Sequence, residues 1–266
     1  MSKNKTTIKD VAREAGVSIA TVSYVINQRS DIKISDETRK KVLQVINLLD
    51  YTPNQAAKAL AANRKSLLGV YLPAPESVLD DAEGMYVLKQ LVHYFHKNQY
   101  EIILLDDQNL EKCDQADAII CYNTSADHFR KLGDNNFIPL LALDCMIHDP
   151  LFFQINSDPN RIKSTASTYF NGKSYTYVTL ATQNEERVAF FNSAFENVEF
   201  ISFYEDLKNY SGKNLLLSDH TLYELLKSSN NVCYMPSLTE DKLAKLHECI
   251  ESALARTPIE QHDVLI

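Results

Sequence analysis

Glycine is scarce in this chain, with 6 residues in 266 where about 7% is ordinary. Few positions are left at which the backbone could turn tightly or approach a ligand closely. No G-x-S-x-G elbow, phosphate-binding glycine loop or H-E-x-x-H pair can be found, so the usual signatures of an acyl-transfer, nucleotide-hydrolysing or zinc-protease site are missing. Cysteine occurs five times (Cys113, Cys121, Cys145, Cys233, Cys249), an odd number with no C-x-x-C pair. That pattern reads as reduced thiols and not as a disulfide framework or a zinc site. No apolar run approaches the ~20 residues of a membrane helix. The opening MSKNKTTIKD has basic residues but no apolar core, unlike a secretory signal. His93 and His96 have no carboxylate spaced with them as a ligand, and Asp106–Asp107 and Asp219–His220 are isolated pairs. These absences lead us to expect a cytoplasmic protein that is not an enzyme and has no metal, no cofactor and no membrane partner.

The net charge of −8 hides an asymmetry. Residues 1–66 hold 12 Lys and Arg against 6 Asp and Glu, a balance of +6, and the remainder carries −14. A basic head on an acidic body suggests that only the head meets a polyanion.

The head reads as short helices. Ile8, Val11, Ala12 and Ala15 recur at i, i+3, i+4 and i+7, one apolar helical face, with Thr7 placed to cap it. Gly16 ends that helix and permits a left-handed turn. Ser18 can cap a second helix reaching about Asn27, whose inward face is Val22, Val25 and Ile26. Ala20, Ser23, Tyr24 and Asn27 then point outward. Two short helices joined by a tight glycine turn form a helix-turn-helix, whose second helix can enter a DNA major groove. Small residues there let the helix backbone approach base edges, and hydroxyl and amide groups can bond phosphates or bases. Ser35 caps a third helix, with Thr38, Val42, Ile46 and Leu49 inward. The stretch from Pro53 to Ala62 is Ala-rich with a proline suited to the first helical position, and so short a helix is marginal alone in water.

From Ser66 onward, apolar strands alternate with amphipathic helices. Strands are expected at Leu67–Leu72, Glu101–Asp106, Asp117–Tyr122, Pro139–Asp144, Phe152–Asn156, Tyr175–Ala181, Val198–Phe203, Asn214–Ser218 and Val232–Met235. Helices are expected at Asp81–Lys97, Ser125–Leu132, Pro159–Phe170, Asn184–Phe195, Thr221–Lys227 and Thr239–Ala255. Such alternation indicates an α/β fold with doubly wound parallel sheets, two of them here. The expected division is therefore a helix-turn-helix domain over 1–52, a hinge helix and linker over 53–65, and an α/β body over 66–266.

The stretch TTIKDVAREAGVSIATVSYVINQRSDIKISDETRKKV, followed by LDYTPNQAAKALAANRKSLLGV, resembles the DNA-binding head and hinge of the lactose-repressor (LacI/GalR) family over residues 6 to about 70. The resemblance implies an all-α head and a periplasmic-binding-protein-like body of two lobes, here trimmed. It implies a transcription regulator, most often a repressor, that acts as a homodimer on a near-palindromic double-stranded DNA operator, and so is nucleoid-associated. Positions matching Ile19, Ala20 and Tyr24 read bases in that family, and those matching Thr7, Ser18, Thr21, Ser23 and Asn27 hold phosphates and register. Tyr24 departs from the Arg or His that many members carry there, and a phenol cannot make the bidentate guanine contact of Arg. By the same resemblance Leu60 is the wedge that enters the minor groove, Asn54 adds a contact nearby, and Ala57 packs against the hinge of a partner copy.

The family's effector is a small sugar, sugar phosphate or purine, and the resemblance carries its contacts onto Asp144, Arg187 and Asp219. The pattern is broken around them: Phe190 stands where a glycine is usual, Ser218 replaces an asparagine, and PAPESVLDD replaces the usual turn after the first strand. A second reading therefore stands beside the first, in which the body has lost ligand sensing and serves dimerisation alone.

Overall fold

The computed structural model describes residues 6–26, 33–49, 51, 65–106, 112–113, 115–257 and 261–266. They divide into two compact units, Met1–Arg64 and Lys65–Ile266.

The first unit holds three helices, α1 (Ile8–Ala15), α2 (Ile19–Ile26) and α3 (Asp36–Leu48). Asp10 accepts the Thr7 backbone N–H at 3.0 Å, which closes the start of α1. Gly16 ends it in the left-handed conformation, φ 67°, a region costly for residues with a Cβ. Ser18 Oγ accepts the Thr21 N–H at 3.0 Å and Ser35 Oγ that of Thr38 at 3.2 Å, so both serines satisfy N–H groups that the helix itself leaves open. Val11, Ala12, Ala15, Val22, Val25, Val42 and Val45 make the core. On α3 the sequence reading placed Thr38 inward, but Val45 is the buried residue and Thr38 only half-buried. Its first-turn position, next to the Ser35 cap, keeps Thr38 at the rim.

The second unit contains two parallel sheets. Strands β1 (Leu67–Tyr71), β2 (Glu101–Leu105), β3 (Ala118–Tyr122), β4 (Leu140–Leu143), β5 (Phe153–Asn156) and β10 (Asp263–Leu265) form one, in the order β10-β5-β4-β3-β1-β2. Strands β6 (Thr176–Leu180), β7 (Val198–Ile201), β8 (Asn214–Leu217) and β9 (Asn231–Tyr234) form the other, in the order β7-β6-β8-β9. Helices α4 (Val78–Lys97), α5 (Ala126–Asn135) and α9 (Glu240–Ala255) belong to the first lobe. Helices α6 (Pro159–Tyr169), α7 (Glu185–Ala194) and α8 (His220–Leu226) belong to the second, with a 3-10 turn at Tyr204–Asn209. The chain crosses between lobes after β5 and again after β9, so Ser157 and Ser237 lie on the crossovers. Strands β3 and β4 are buried along their whole length, as expected of parallel strands covered on both faces.

Besides the 3-10 turn and a helix α5 that runs three residues past its expected end, two differences bear on the site. Helix α4 begins at Val78, one turn earlier than expected, because Ser77 Oγ accepts the Asp80 N–H at 3.2 Å and caps it there. Strand β10 was not expected; it is three residues long and exists through its pairing with β5, too short a segment for periodicity to reveal.

Because the head has its own core, truncating Val42 to Ala should cost the head roughly 2 kcal/mol, the scale of two lost buried methyl groups. Amide hydrogen exchange should show faster exchange across α1–α3 with the body unchanged. Equal acceleration in both units would contradict the division.

Candidate functional site

Two places carry the residues singled out from the sequence. The first is the outer face of α2. Sealing Val22 and Val25 into the core leaves Ser18, Ile19 and Ala20 exposed, with Ile19 at 44% of its full accessibility, and Thr21, Ser23 and Tyr24 half-buried. The Ser18 and Thr21 hydroxyls lie 2.9 Å apart, and the Thr7 hydroxyl donates to Asp10 at 2.6 Å. Each hydroxyl keeps acceptor capacity beyond these bonds. The face is thus a backbone ridge with short side chains and a rim of hydroxyls, a shape that can approach base edges and phosphates. Asn27, Asn54, Ala57 and Leu60 lie outside the described residues.

The second place is the junction of the two lobes, at the C-terminal ends of the strands, where open parallel sheets bind ligands. All three predicted effector residues are buried there: Asp144, Arg187 and Asp219. Each is engaged by the chain itself. Asp144 follows β4 in the left-handed region, φ 52°, and its Oδ1 accepts a hydrogen bond at 2.6 Å from the Lys242 ammonium. Lys242 is itself buried and also donates to Ser157 Oγ at 3.0 Å and the Ser237 carbonyl at 2.9 Å. Burial pushes the Lys242 pKa down, and Asp144 opposes the shift. Arg187 donates from Nη1 to Asn123 Oδ1 at 2.6 Å. Burial works against its charge, but Asp144, Tyr122 and Asp219 outweigh it and hold its pKa above the ordinary value. Asp219 Oδ2 accepts the Leu180 N–H at 3.2 Å.

The sequence reading missed Lys242 and Glu83. Both left a trace: each sits in a row of apolar residues on the buried face of its helix, Glu83 between Leu79 and Val87, Lys242 one turn before Leu246. A charge in such a row implies a buried partner.

A pocket of about 290 Å³ lies beside the junction, at the ends of β1, β2 and β3 and the start of α4. Leu72, Pro73, Pro75, Met85, Leu104 and Tyr122 give it apolar walls. Its polar lining is Asp80, Asp81, Asp106 and Asn123, with no Lys or Arg among the described residues. Asp144, Arg187 and Asp219 do not line it. Burial raises the Asp80 pKa, and Glu76, Asp219 and Asp81 add to the rise against a backbone bond that lowers it. The described residues include no group of three or more His, Cys, Asp or Glu able to hold a metal ion, and no helix among them is long and apolar enough to cross a membrane.

Two outcomes are expected. Lys242→Met should destabilise the body by about 3–5 kcal/mol, because it leaves Asp144 charged and buried without its partner. The double variant Lys242→Met/Asp144→Leu should regain most of that loss in urea unfolding; an equally unstable double variant would contradict the pairing. Burial, and then the neighbouring Glu83 carboxylate, push the Asp219 pKa up to about 6, with Thr179 and Arg187 opposing. Between roughly pH 4 and pH 6 the folded protein therefore keeps a proton that the unfolded chain releases. This group's contribution to stability falls as pH rises through that window and is level above it. The Tm of Asp219→Asn relative to the parent should climb over the same window, whereas a pH-independent difference would remove the assignment.

Comparison with known proteins bears on the head above all. Residues 7–54 match the sequence profile described as "Bacterial regulatory proteins, lacI family". Catabolite control protein A of Streptococcus mutans is 55% identical over 67 residues, 25% of this chain and 20% of that protein. The HTH-type transcriptional regulator DegA of Bacillus subtilis is 52% identical over 69 residues, 26% of this chain and 20% of that protein. Among such relatives the matched stretches span between 20% and 51% of the relatives' own length. The solved structure of the Cra transcriptional dual regulator from Pseudomonas putida, in complex with fructose 1-phosphate, covers 76% of this chain and 97% of its own, with a TM-score of 0.51 and 14% identity. That is a likeness of fold, and it places the two-lobed body among periplasmic-binding-protein-like architectures. The match over residues 7–54 marks the head as a helix-turn-helix domain of the lacI family of bacterial regulatory proteins.

Proposed function

We propose that this protein is a sequence-specific DNA-binding transcription regulator, acting as a repressor, that binds a near-palindromic operator as a homodimer. The observation that carries the reading is the outward face of α2: Ile19 and Ala20 stand exposed on a head of this family while Val22 and Val25 are sealed beneath them. The +6 balance of residues 1–66 supports phosphate contact by that unit. We assign base reading to Ile19, Ala20 and Tyr24, and positioning on phosphates to Thr7, Ser18, Thr21, Ser23 and Asn27. Residues 1–52 then form the reading domain, 53–65 the hinge that inserts Leu60, with Asn54 and Ala57 beside it, and 66–266 the dimerising body. A second copy has a surface to meet: Val78, Met85 and Val92 recur at seven-residue spacing along α4 and are 85%, 43% and 44% exposed, and a stripe of this kind on a helix marks an interaction face.

For the body, Asp144, Arg187 and Asp219 are each already hydrogen-bonded by the chain itself, Arg187 across the junction and the two aspartates within their own lobes, which favours the reading in which they do not hold an effector. One place for a small ligand is the 290 Å³ pocket. Its three aspartates suit the hydroxyl donors of an uncharged sugar and repel a sugar phosphate. Thermal shift with neutral sugars, sugar phosphates and purines separates these cases. Stabilisation by a sugar phosphate would overturn the account of the pocket.

The DNA reading is tested by selecting bound duplexes from a random pool and repeating the selection with Tyr24→Ala. The expected result is a near-palindromic site whose preferred base changes at one position in each half with the variant, at a cost of about 1–3 kcal/mol on the parental site. A uniform loss over all sequences would take the reading role from Tyr24, and a pool that never converges would refute sequence-specific binding.

A further inference from the structure

Glu83 belongs to α4 of the first lobe, yet it caps a helix of the second. Its Oε1 accepts the His220 N–H at 3.0 Å and its Oε2 the Thr221 N–H at 2.7 Å. The residue that should serve there, Asp219 at the N-cap position of α8, makes no such bond; its carboxylate is turned to the Leu180 N–H at the end of β6. The opening N–H groups of α8 are thus satisfied from the other lobe.

The neighbours of Glu83 on the same stripe of α4 also cross the junction. One turn earlier, Leu79 is buried in the core of the second lobe, with Val178, Leu180, Leu217 and Leu222. One turn later, the Tyr86 ring stacks on His220 with centroids 3.9 Å apart and planes 11° from parallel. At the strand ends a second set of bonds joins the lobes. Asn184 donates to the Thr124 carbonyl at 2.8 Å and the Met146 carbonyl at 3.2 Å. Thr182 donates to Asn123 at 2.8 Å. Lys242 holds both crossovers through Ser157 and Ser237.

We propose that Leu79, Glu83 and Tyr86 form a latch that keeps the two lobes shut with no ligand between them. Leu79 and the Tyr86–His220 stack supply the attraction, since opening would return their apolar surface to water. Glu83 supplies the register, because a buried carboxylate that misses its two N–H partners is costly. The closure that a ligand bound between lobes would bring about is built into the chain. This inference concerns the body alone and does not rest on the DNA reading.

The test measures the separation of the lobes in the full chain. Spin labels on cysteines introduced at the exposed positions Lys131 of α5 and Lys208 of the second lobe report it by pulsed electron–electron resonance; the five native cysteines are buried. The ligand-free parent should give one narrow distance population. Glu83→Ala should add a second population at longer distance. Glu83→Gln, which keeps an acceptor oxygen, should stay closer to the parent. Should Glu83→Ala fail to fold, Tyr86→Ala leaves the carboxylate in place and should also broaden the distribution. A ligand-free parent that already populates separated lobes overturns the latch, as does an unchanged distribution in both alanine variants.

Discussion

A small apolar seam decides what the head can present. Val11, Val22, Val25, Val42 and Val45 close on one another with Ala12 and Ala15, and burying Val22 and Val25 fixes the rotation of α2 about its axis. Helical geometry then turns Ala20, two positions from Val22, to the opposite side, while Ile19, in the first turn, stands at the flank of the buried face and stays exposed. Gly16 sets the angle between the first two helices through a backbone conformation that a side chain would strain. Ala20 and Ser23 are small, which lets the helix backbone approach base edges, while Ile19 and Tyr24 reach beyond it.

The body is organised around a different constraint. Glu83, Asp144, Arg187, Asp219 and Lys242 are all buried near the meeting of the two lobes. Buried charges persist when they are paired and hydrogen-bonded. Asp144 has Lys242, Arg187 has Asn123, and Glu83 has two backbone N–H groups. With all five ionised, three acids would face two bases, and the elevated pKa of Asp219 relieves the excess: below about pH 6 it carries a proton and the formal charges balance. The groups expected to hold an effector are thereby engaged by the chain itself, Arg187 across the junction and Asp144 and Asp219 within their own lobes, with Asp144 Oδ2 left without a hydrogen bond among the described residues. A pocket lies to one side, against the apolar ends of β1 and β2.

Much of this was legible in the sequence because it is local. The capping residues Thr7, Ser18 and Ser35, the glycine turn and the strand-helix alternation are patterns of a few neighbouring residues, and the elements formed where those patterns lie. What was not legible is pairing over distance. Asp144 and Lys242 are 98 positions apart, and Glu83 and Thr221 138 positions apart; no periodicity connects them. A charged residue in a buried helical row announces that it needs a partner and not which one. The start of α4 was missed by one turn, and with it Leu79, because Ser77 was not read as a cap. On α3, Thr38 shares the stripe of Val42 and Val45, and its place in the first turn beside the Ser35 cap leaves it at the rim while the valines are buried.

The central claim is that the exposed side of α2 meets the bases. Its most direct measurement is nuclear magnetic resonance of the isotope-labelled chain with a selected duplex, recording intermolecular proton–proton contacts. The account predicts contacts from the Ala20 methyl and the Tyr24 ring to base protons in a major groove, with Val22 and Val25 showing contacts only within the head. Contacts to DNA from another surface, with Ala20 and Tyr24 silent, would contradict it.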